Sequence, residues 1–237
     1  ILDNNSDYIV CNNFKDYKLY NYNKYLINND NIESLGLFRS IIFKGNKCVC
    51  VSPKKSYELN HFLKHNSEYR IEEFVDGVMI NCFFDNDTWH ISSYNLIDNK
   101  DTKELFINNF DTNNWEQMNK LYNYSFVFQH PSLPVINNKI PKIYLIDIFD
   151  PTSTRSVKNN CLKNALNNIF FPLKINVSLD EAINKYCYVD SDYTMKGLVL
   201  VNNNKRTKIR NSAFEYYTYI HSNKSLSIIF EFCYMYK

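Results

Sequence analysis

The sequence predicts an α+β protein, mostly antiparallel sheets with flanking helices. Three observations lead there. Nine short segments carry β-branched and aromatic residues at alternating positions, the pattern of half-buried strands. Fewer segments show the apolar spacing of a helix. Turn-forming steps sit between neighbouring strand segments, K-G-N at 44–46 and D-G at 76–77.

Taken in order, the strand segments are 37–43 (LFRSIIF), 47–52, 69–75, 78–84, 88–93 (TWHISS), 124–129 (YSFVFQ), 142–149 (KIYLIDIF), 197–202 (GLVLVN) and 206–210. K-G-N closes a hairpin between the first two. D-G reads as a tight step between the third and fourth. Helices are expected over 54–65, 101–110, 113–122, 154–168 and 178–186. In the third of these Trp115, Met118 and Leu121-Tyr122 fall on one stripe, and in the last Ser178 with Glu181 three residues on forms a capping box. The C-terminal run S-L-S-I-I-F-E-F-C-Y-M-Y alternates with period two and reads as sheet core. Its aromatics, with Tyr216, Tyr217 and Tyr219, also have the faces to stack bases.

With 237 residues, 45% of them hydrophobic, the chain can bury a full core, and a single domain over 1–237 is the simplest reading. It begins at Ile-Leu-Asp without Met, which fits a piece of a longer protein. The net charge of +2 implies no global field, so any nucleic-acid surface has to be local. Seven cysteines, an odd number without a C-x-x-C, point to free core thiols in a reducing compartment. That means a cytoplasmic setting, with virion association allowed, and no metal site. No apolar run is long enough to span a membrane. His61 and His65 are spaced i, i+4 without an intervening H-E motif and read as surface histidines; His90 beside Trp89 reads as structural.

The chemistry-bearing residues fall in a definite order: Arg39 in F-R-S-I-I-F, Lys54 and Lys55 in S-P-K-K-S, Asp76-Gly77, Gln129-His130, Lys196-Gly197, then Lys208 and Arg210 in T-K-I-R. Alternation along a strand puts Lys208 and Arg210 on one face, where two cations attract and orient a phosphate. Glycine at a strand start lets backbone approach a ligand closely. The cluster Lys205, Arg206, Lys208, Arg210 is the best local RNA-binding candidate, and a solvated strand explains it equally well.

In this order the motifs resemble the covalent nucleotidyltransferases, specifically the RNA-ligase branch of phage RNA ligase 1 and related proteins of large DNA viruses. E-F-V-D-G-V-M-I is similar to the first motif, K-x-D-G; S-F-V-F-Q-H-P to the third; K-G-L-V-L-V to the fourth, E-G-x-V; and K-I-R to the fifth, from about Phe38 to Tyr216. The resemblance implies a nucleotidyltransferase (ATP-grasp-like ligase) fold. It also implies a nucleotide site drawn from Arg39, Lys55, Asp76, Gly77, Gln129, Lys208 and Arg210, with ATP and Mg as cofactors of an active member.

The same resemblance shows what has gone. Phe74 stands where the nucleophilic lysine belongs, and a phenyl ring has no lone pair with which to form a phosphoramidate. Gln129 replaces the third-motif glutamate, and Lys196 replaces the fourth-motif glutamate, reversing its charge. The expectation is a degenerate domain, a pseudoenzyme without cofactor, that binds nucleotide or RNA or serves assembly with other protein subunits. Two alternatives stay open: an active ligase with Lys55 or Lys54 as a relocated nucleophile (Lys196 a weaker candidate), and a plain RNA-binding module.

Overall fold

Tyr17 and Phe83 are buried where strands meet, and the described strands arrange as three antiparallel sheets. The structure, a computed structural model, describes residues 7–133, 140–157 and 164–222. The first sheet has the order β1 (Ile9–Phe14), β2 (Tyr17–Tyr22), β3 (Arg39–Lys44), β4 (Lys47–Cys50). The second runs β10 (Arg155–Ser156), β9 (Lys142–Asp150), β8 (Asn123–Gln129), β6 (Val78–Asp85), β7 (Thr88–Ser92). The third runs β11 (Lys174–Ile175), β5 (Arg70–Glu73), β12 (Gly197–Asn202), β13 (Lys205–Arg210). Among the described residues six helices accompany them: α1 (Ile32–Leu35), α2 (Leu59–His65), α3 (Lys100–Ile107), α4 (Asn114–Gln117), α5 (Leu179–Tyr186) and α6 (Ser212–Ser222). Among the described residues no helix is long and apolar enough to cross a membrane.

Alternation within each strand sorts the cores. Tyr124, Phe126 and Phe128 of β8 project from one face of the second sheet and pack with Ile80, Phe106, Phe110 and Met118 under α3 and α4. Each fully buried Phe contributes about 2–3 kcal/mol by removal from water. On the third sheet, Ile71, Leu198 and Leu200 point away from the second sheet to meet Phe62 of α2 and Ala182 of α5. The opposite faces of these two sheets, with Val127 and Ile146 on one and Glu72 and Val199 on the other, line a cleft. The first sheet closes one end: Leu19, Ile42 and Cys50 pack on Phe83. Asn123 ties the sheets together by accepting from the Val51 N–H at 3.0 Å and donating to its carbonyl at 2.7 Å.

All nine predicted strands are present, and α5 starts at Ser178, whose hydroxyl accepts from the Glu181 N–H. Several expectations are corrected. Asp76-Gly77 is no hairpin turn: β5 and β6 lie in different sheets, and the step carries the chain across the cleft. The helix expected over 54–65 starts only at Leu59, after Pro53 and an extended stretch, and that over 113–122 is a single turn. Within 154–168, Arg155–Ser156 is a short strand and 158–163 lie outside the described residues. Strands β1 and β2 were missed because their polar Asn and Lys residues mask the alternation. Tyr216, Tyr217 and Tyr219 lie on helix α6, and the run 225–236, expected as sheet core, lies outside the described residues. So do Cys161 and Cys233; the five described cysteines are free thiols, and burial pushes Cys48 and Cys187 up to about 11.

His90 is structural, at the join of the first and second sheets. Its Nε2 lies 3.2 Å from the Tyr17 hydroxyl and its Nδ1 2.7 Å from Asp98, which also accepts from Lys103 at 2.8 Å and from the Ile91 N–H at 3.1 Å. Burial opposes ionisation of Asp98, but these bonds outweigh it and hold the carboxyl well below the usual range. A depressed carboxyl stabilises the fold above its unfolded value of about 3.9, and the gain is lost as pH falls. Acid titration of the melting temperature is expected to show wild type losing about 1 kcal/mol more than Asp98→Asn between about pH 5 and 2, a figure discounted for partial exposure. Parallel curves would show the bonds add nothing.

Candidate functional site

The cleft between the second and third sheets holds a cavity of about 260 Å³. Its charge comes from strand register. In β13, Arg206, Lys208 and Arg210 alternate onto the cleft face, opposite Val201, Val199 and Gly197 of β12. Arg39 reaches in from β3 and Lys196 from the residue before β12. Five basic side chains thus face two carboxylates, Glu72 and Glu73. Both carboxylates have other partners: Glu72 accepts from Arg70 at 2.6 Å and Glu73 from the Leu173 N–H at 3.3 Å.

Phe74 stands in the middle of this charge. Its N–H donates to the Gly197 carbonyl at 2.8 Å, extending the β5–β12 ladder and fixing the ring against the base of the cavity. The Lys208 Nζ lies 4.3 Å from the ring centroid and the Lys196 Nζ 5.1 Å, so the phenyl faces two ammonium positions. Lys196 is also bound at 2.6 Å by the Asp76 carboxylate, and Gln129 donates to the Asp76 carbonyl at 2.7 Å. Phe74, Gln129 and Lys196 are therefore joined through Phe74's ring and Asp76.

The glycines serve protein packing, where the sequence suggested room for a ligand. Gly77 has φ +143°, and a Cβ there would sit 2.6 Å from Val127 Cγ1 and 2.7 Å from the Phe128 carbonyl oxygen. Its role is to let the crossing chain touch β8. Gly197 has φ +139° and lies against the Ile209 carbonyl of β13.

Crowding shows in the electrostatics. Burial first, then Arg39, Arg206, Lys196 and Arg210, push the Lys208 amine down to about 6. Burial, then Arg39, brings Arg206 down to about 10. The Nε of Arg206 is buried and has no hydrogen-bond partner among the described residues. This guanidinium also lines a second, small cavity of about 30 Å³ with Lys54, Arg70 and Asp147, so it forms the wall between the two.

The predicted site residues divide accordingly. Arg39, Gly77, Lys208 and Arg210 line the cleft cavity, with Asp76 and Gln129 bonded at its edge. Lys55 stands apart, its Nζ 5.9 Å from the Tyr22 ring centroid, and Lys54 lies at the second cavity. The expected RNA-binding pair separates: Lys205 is paired with Glu33 over Tyr57, while Arg206 turns inward. Arg210, the most exposed cation of the cluster, is 3.2 Å from Glu215 of α6. Sequence reading missed the inward Arg206 because an Arg beside Lys205 looks like one surface patch; the odd–even alternation was the available signal. His61 and His65 lie side by side on α2, and among the described residues no group of three or more His, Cys, Asp or Glu could hold a metal.

The architecture is that of ligase nucleotidyltransferases. A chain from Aquifex aeolicus described as an ATP-dependent DNA ligase aligns with a TM-score of 0.59 at 13% identity, covering 86% of this chain and 59% of that one. A variant of the Naegleria gruberi RNA ligase solved with ATP and Mn aligns with a TM-score of 0.50 at 14% identity, covering 79% of this chain and 67% of that one. The chain thus spans about three fifths to two thirds of these structures, and at such identities the likeness is one of fold. No protein-family profile and no curated protein sequence matches the chain.

Proposed function

We propose that this chain is an RNA-ligase-like nucleotidyltransferase domain that has lost covalent chemistry at its first motif and keeps the cleft for a phosphate-bearing ligand, a nucleotide or an RNA end. The observation that carries this reading is the cleft face of β13. Arg206 and Lys208 are held there at an electrostatic cost, burial and mutual repulsion, that contributes nothing to folding and that a bound anion would relieve. Side chains with this chemistry fit a triphosphate: Arg39, Arg206 and Arg210 line the cleft with guanidinium forks, and Arg206 has a donor to spare. The fit to a divalent ion is poor at the fourth-motif position, because Lys196 brings a positive charge bound to Asp76. ATP held here would therefore have its phosphates neutralised by guanidinium groups, with Phe74 unable to attack.

The test pairs two measurements on one sample. Titration with ATP is expected to show saturable binding that weakens steeply as salt rises. Incubation with ATP labelled at the α-phosphate, with Mg or Mn, is expected to leave no label on the protein after denaturing electrophoresis. A labelled adduct would overturn the loss of chemistry, and its disappearance in Lys54→Ala or Lys55→Ala would hand the role to that lysine. Absence of both ATP and RNA binding would leave assembly with other subunits as the surviving role.

A further inference from the structure

Lys208 has surroundings unlike those of Lys196, the other lysine of the cleft. Lys196 is paired with Asp76 and Arg210 with Glu215, and outside the cavity Lys205 is paired with Glu33. Among the described residues no carboxylate lies within ion-pair distance of Lys208, and its Nζ rests on the face of Phe74. The groups facing it are Arg39 from β3, Lys196 at the start of β12 and Arg206 and Arg210 from its own strand; Glu72 and Glu73 of β5 line the same cavity with partners of their own. Burial in the cleft wall and four positive neighbours, which oppose a fifth charge, push this amine down to about 6. A free amine is a nucleophile, whereas an ordinary surface lysine is almost wholly protonated at neutral pH.

The same neighbours decide what it would meet. Three guanidinium groups recruit an anion, and the free volume of about 260 Å³ suits a small molecule. We propose that Lys208 is a carbonyl-reactive amine that condenses with a small phosphate-bearing aldehyde held by Arg39, Arg206 and Arg210. The Nζ lone pair adds to the carbonyl carbon while the carbonyl oxygen takes up a proton, giving a carbinolamine. The nitrogen's proton passes to the hydroxyl, the C–O bond breaks to release water, and a protonated C=N bond joins Lys208 to the ligand. One water is released and nothing is oxidised or reduced. The phosphate stabilises the protonated imine, replacing the repulsion Lys208 feels in the free protein. This site is the one invoked for the proposed function, but the step needs no nucleotide.

Pyridoxal 5′-phosphate is a suitable probe, since it carries an aldehyde and a phosphate on a small ring. Wild-type protein is treated with it near neutral pH, reduced with borohydride and digested, and the modified lysine is located by mass spectrometry. The expected result is preferential modification of Lys208, with a rate that reaches half its maximum near pH 6. Pyridoxal without the phosphate should react at least about tenfold more slowly, as loss of one charge-assisted contact implies. Lys208→Met, which keeps the aliphatic stem and adds no charge, should remove the adduct while leaving the thermal melt in place. Modification spread over exposed lysines, or equal rates with and without the phosphate, would overturn the proposal on wild-type protein alone. ATP binding measured on the same preparation separates the two readings. ATP bound with Lys208 unmodified sinks only the amine; Lys208 modified with no ATP bound sinks only the nucleotide site.

Discussion

Gly197→Ala is expected to cost roughly 3–5 kcal/mol, a large part of the 5–15 kcal/mol that keeps a domain folded. At φ +139° an L side chain is strained whatever the space, and here there is no space: the new Cβ would lie 2.1 Å from the Ile209 carbonyl oxygen and 3.0 Å from the Arg210 Cα. Backbone has to move. Moving it breaks the pairing of Leu198 with Ile209, and with it the bonds that hold the Phe74 N–H to Gly197 and the Asn211 N–H to Lys196. The lost stability should therefore come with loss of ATP binding, because Phe74, Lys196 and Lys208 are all placed by this junction. Gly45→Ala is the matched control. Gly45 also has positive φ, +55°, but nothing lies within 4 Å of its would-be Cβ, so only the conformational cost of about 1 kcal/mol is expected. Urea unfolding of the two variants decides it; equal losses would mean that the close approach at Gly197 is relaxed at little cost.

Arg206→Met is expected to separate binding from stability. Removing one guanidinium with a buried free donor should weaken ATP binding roughly 30- to 100-fold, the worth of a charge-assisted contact in a desolvated site. The same change should leave the melting temperature level or raise it. Arg206 is destabilised in the fold by burial and by Arg39, so its charged form costs stability at neutral pH. Because its folded value is depressed below that of the unfolded chain, this cost is present below about pH 10 and fades as pH rises beyond it. Methionine keeps much of the aliphatic contact without the charge. Asp147, close enough to oppose the depression, keeps the hydrogen bond it accepts from the Ser156 hydroxyl at 2.6 Å. A variant that binds ATP as wild type does would remove Arg206 from the site; one that unfolds would make it a structural residue.

Much of the fold can be read in particular segments of the chain. G-L-V-L-V and F-V-F are short, β-branched or aromatic apolar runs that suit strands buried on both faces, and both lie in central strands. Ser178 and Glu181 announce a helix start that forms as written. The sequence of β1 and β2, by contrast, pairs polar Asn and Lys residues with Tyr, and the alternation becomes visible only when Tyr17 and Leu19 are seen buried and Tyr20 packed against Phe38 and Phe43.

For the cleft, the chain supplies the residue types and their order. Phe74, Asp76, Gln129, Lys196 and three basic residues at alternating positions are plain in the one-dimensional string. Their meeting is not. Asp76-Gly77 looks like a hairpin because local turn chemistry is the same whether the next strand returns to its neighbour or crosses to another sheet; the close contact of Gly77 with β8, some fifty residues away, settles which. Likewise Lys205 and Arg206 are equal as letters. Strand pairing sends one to Glu33 and the other into the cleft, and the free energy that distinguishes them, desolvation and the repulsion of cations drawn from distant parts of the chain, exists only once those parts are packed together.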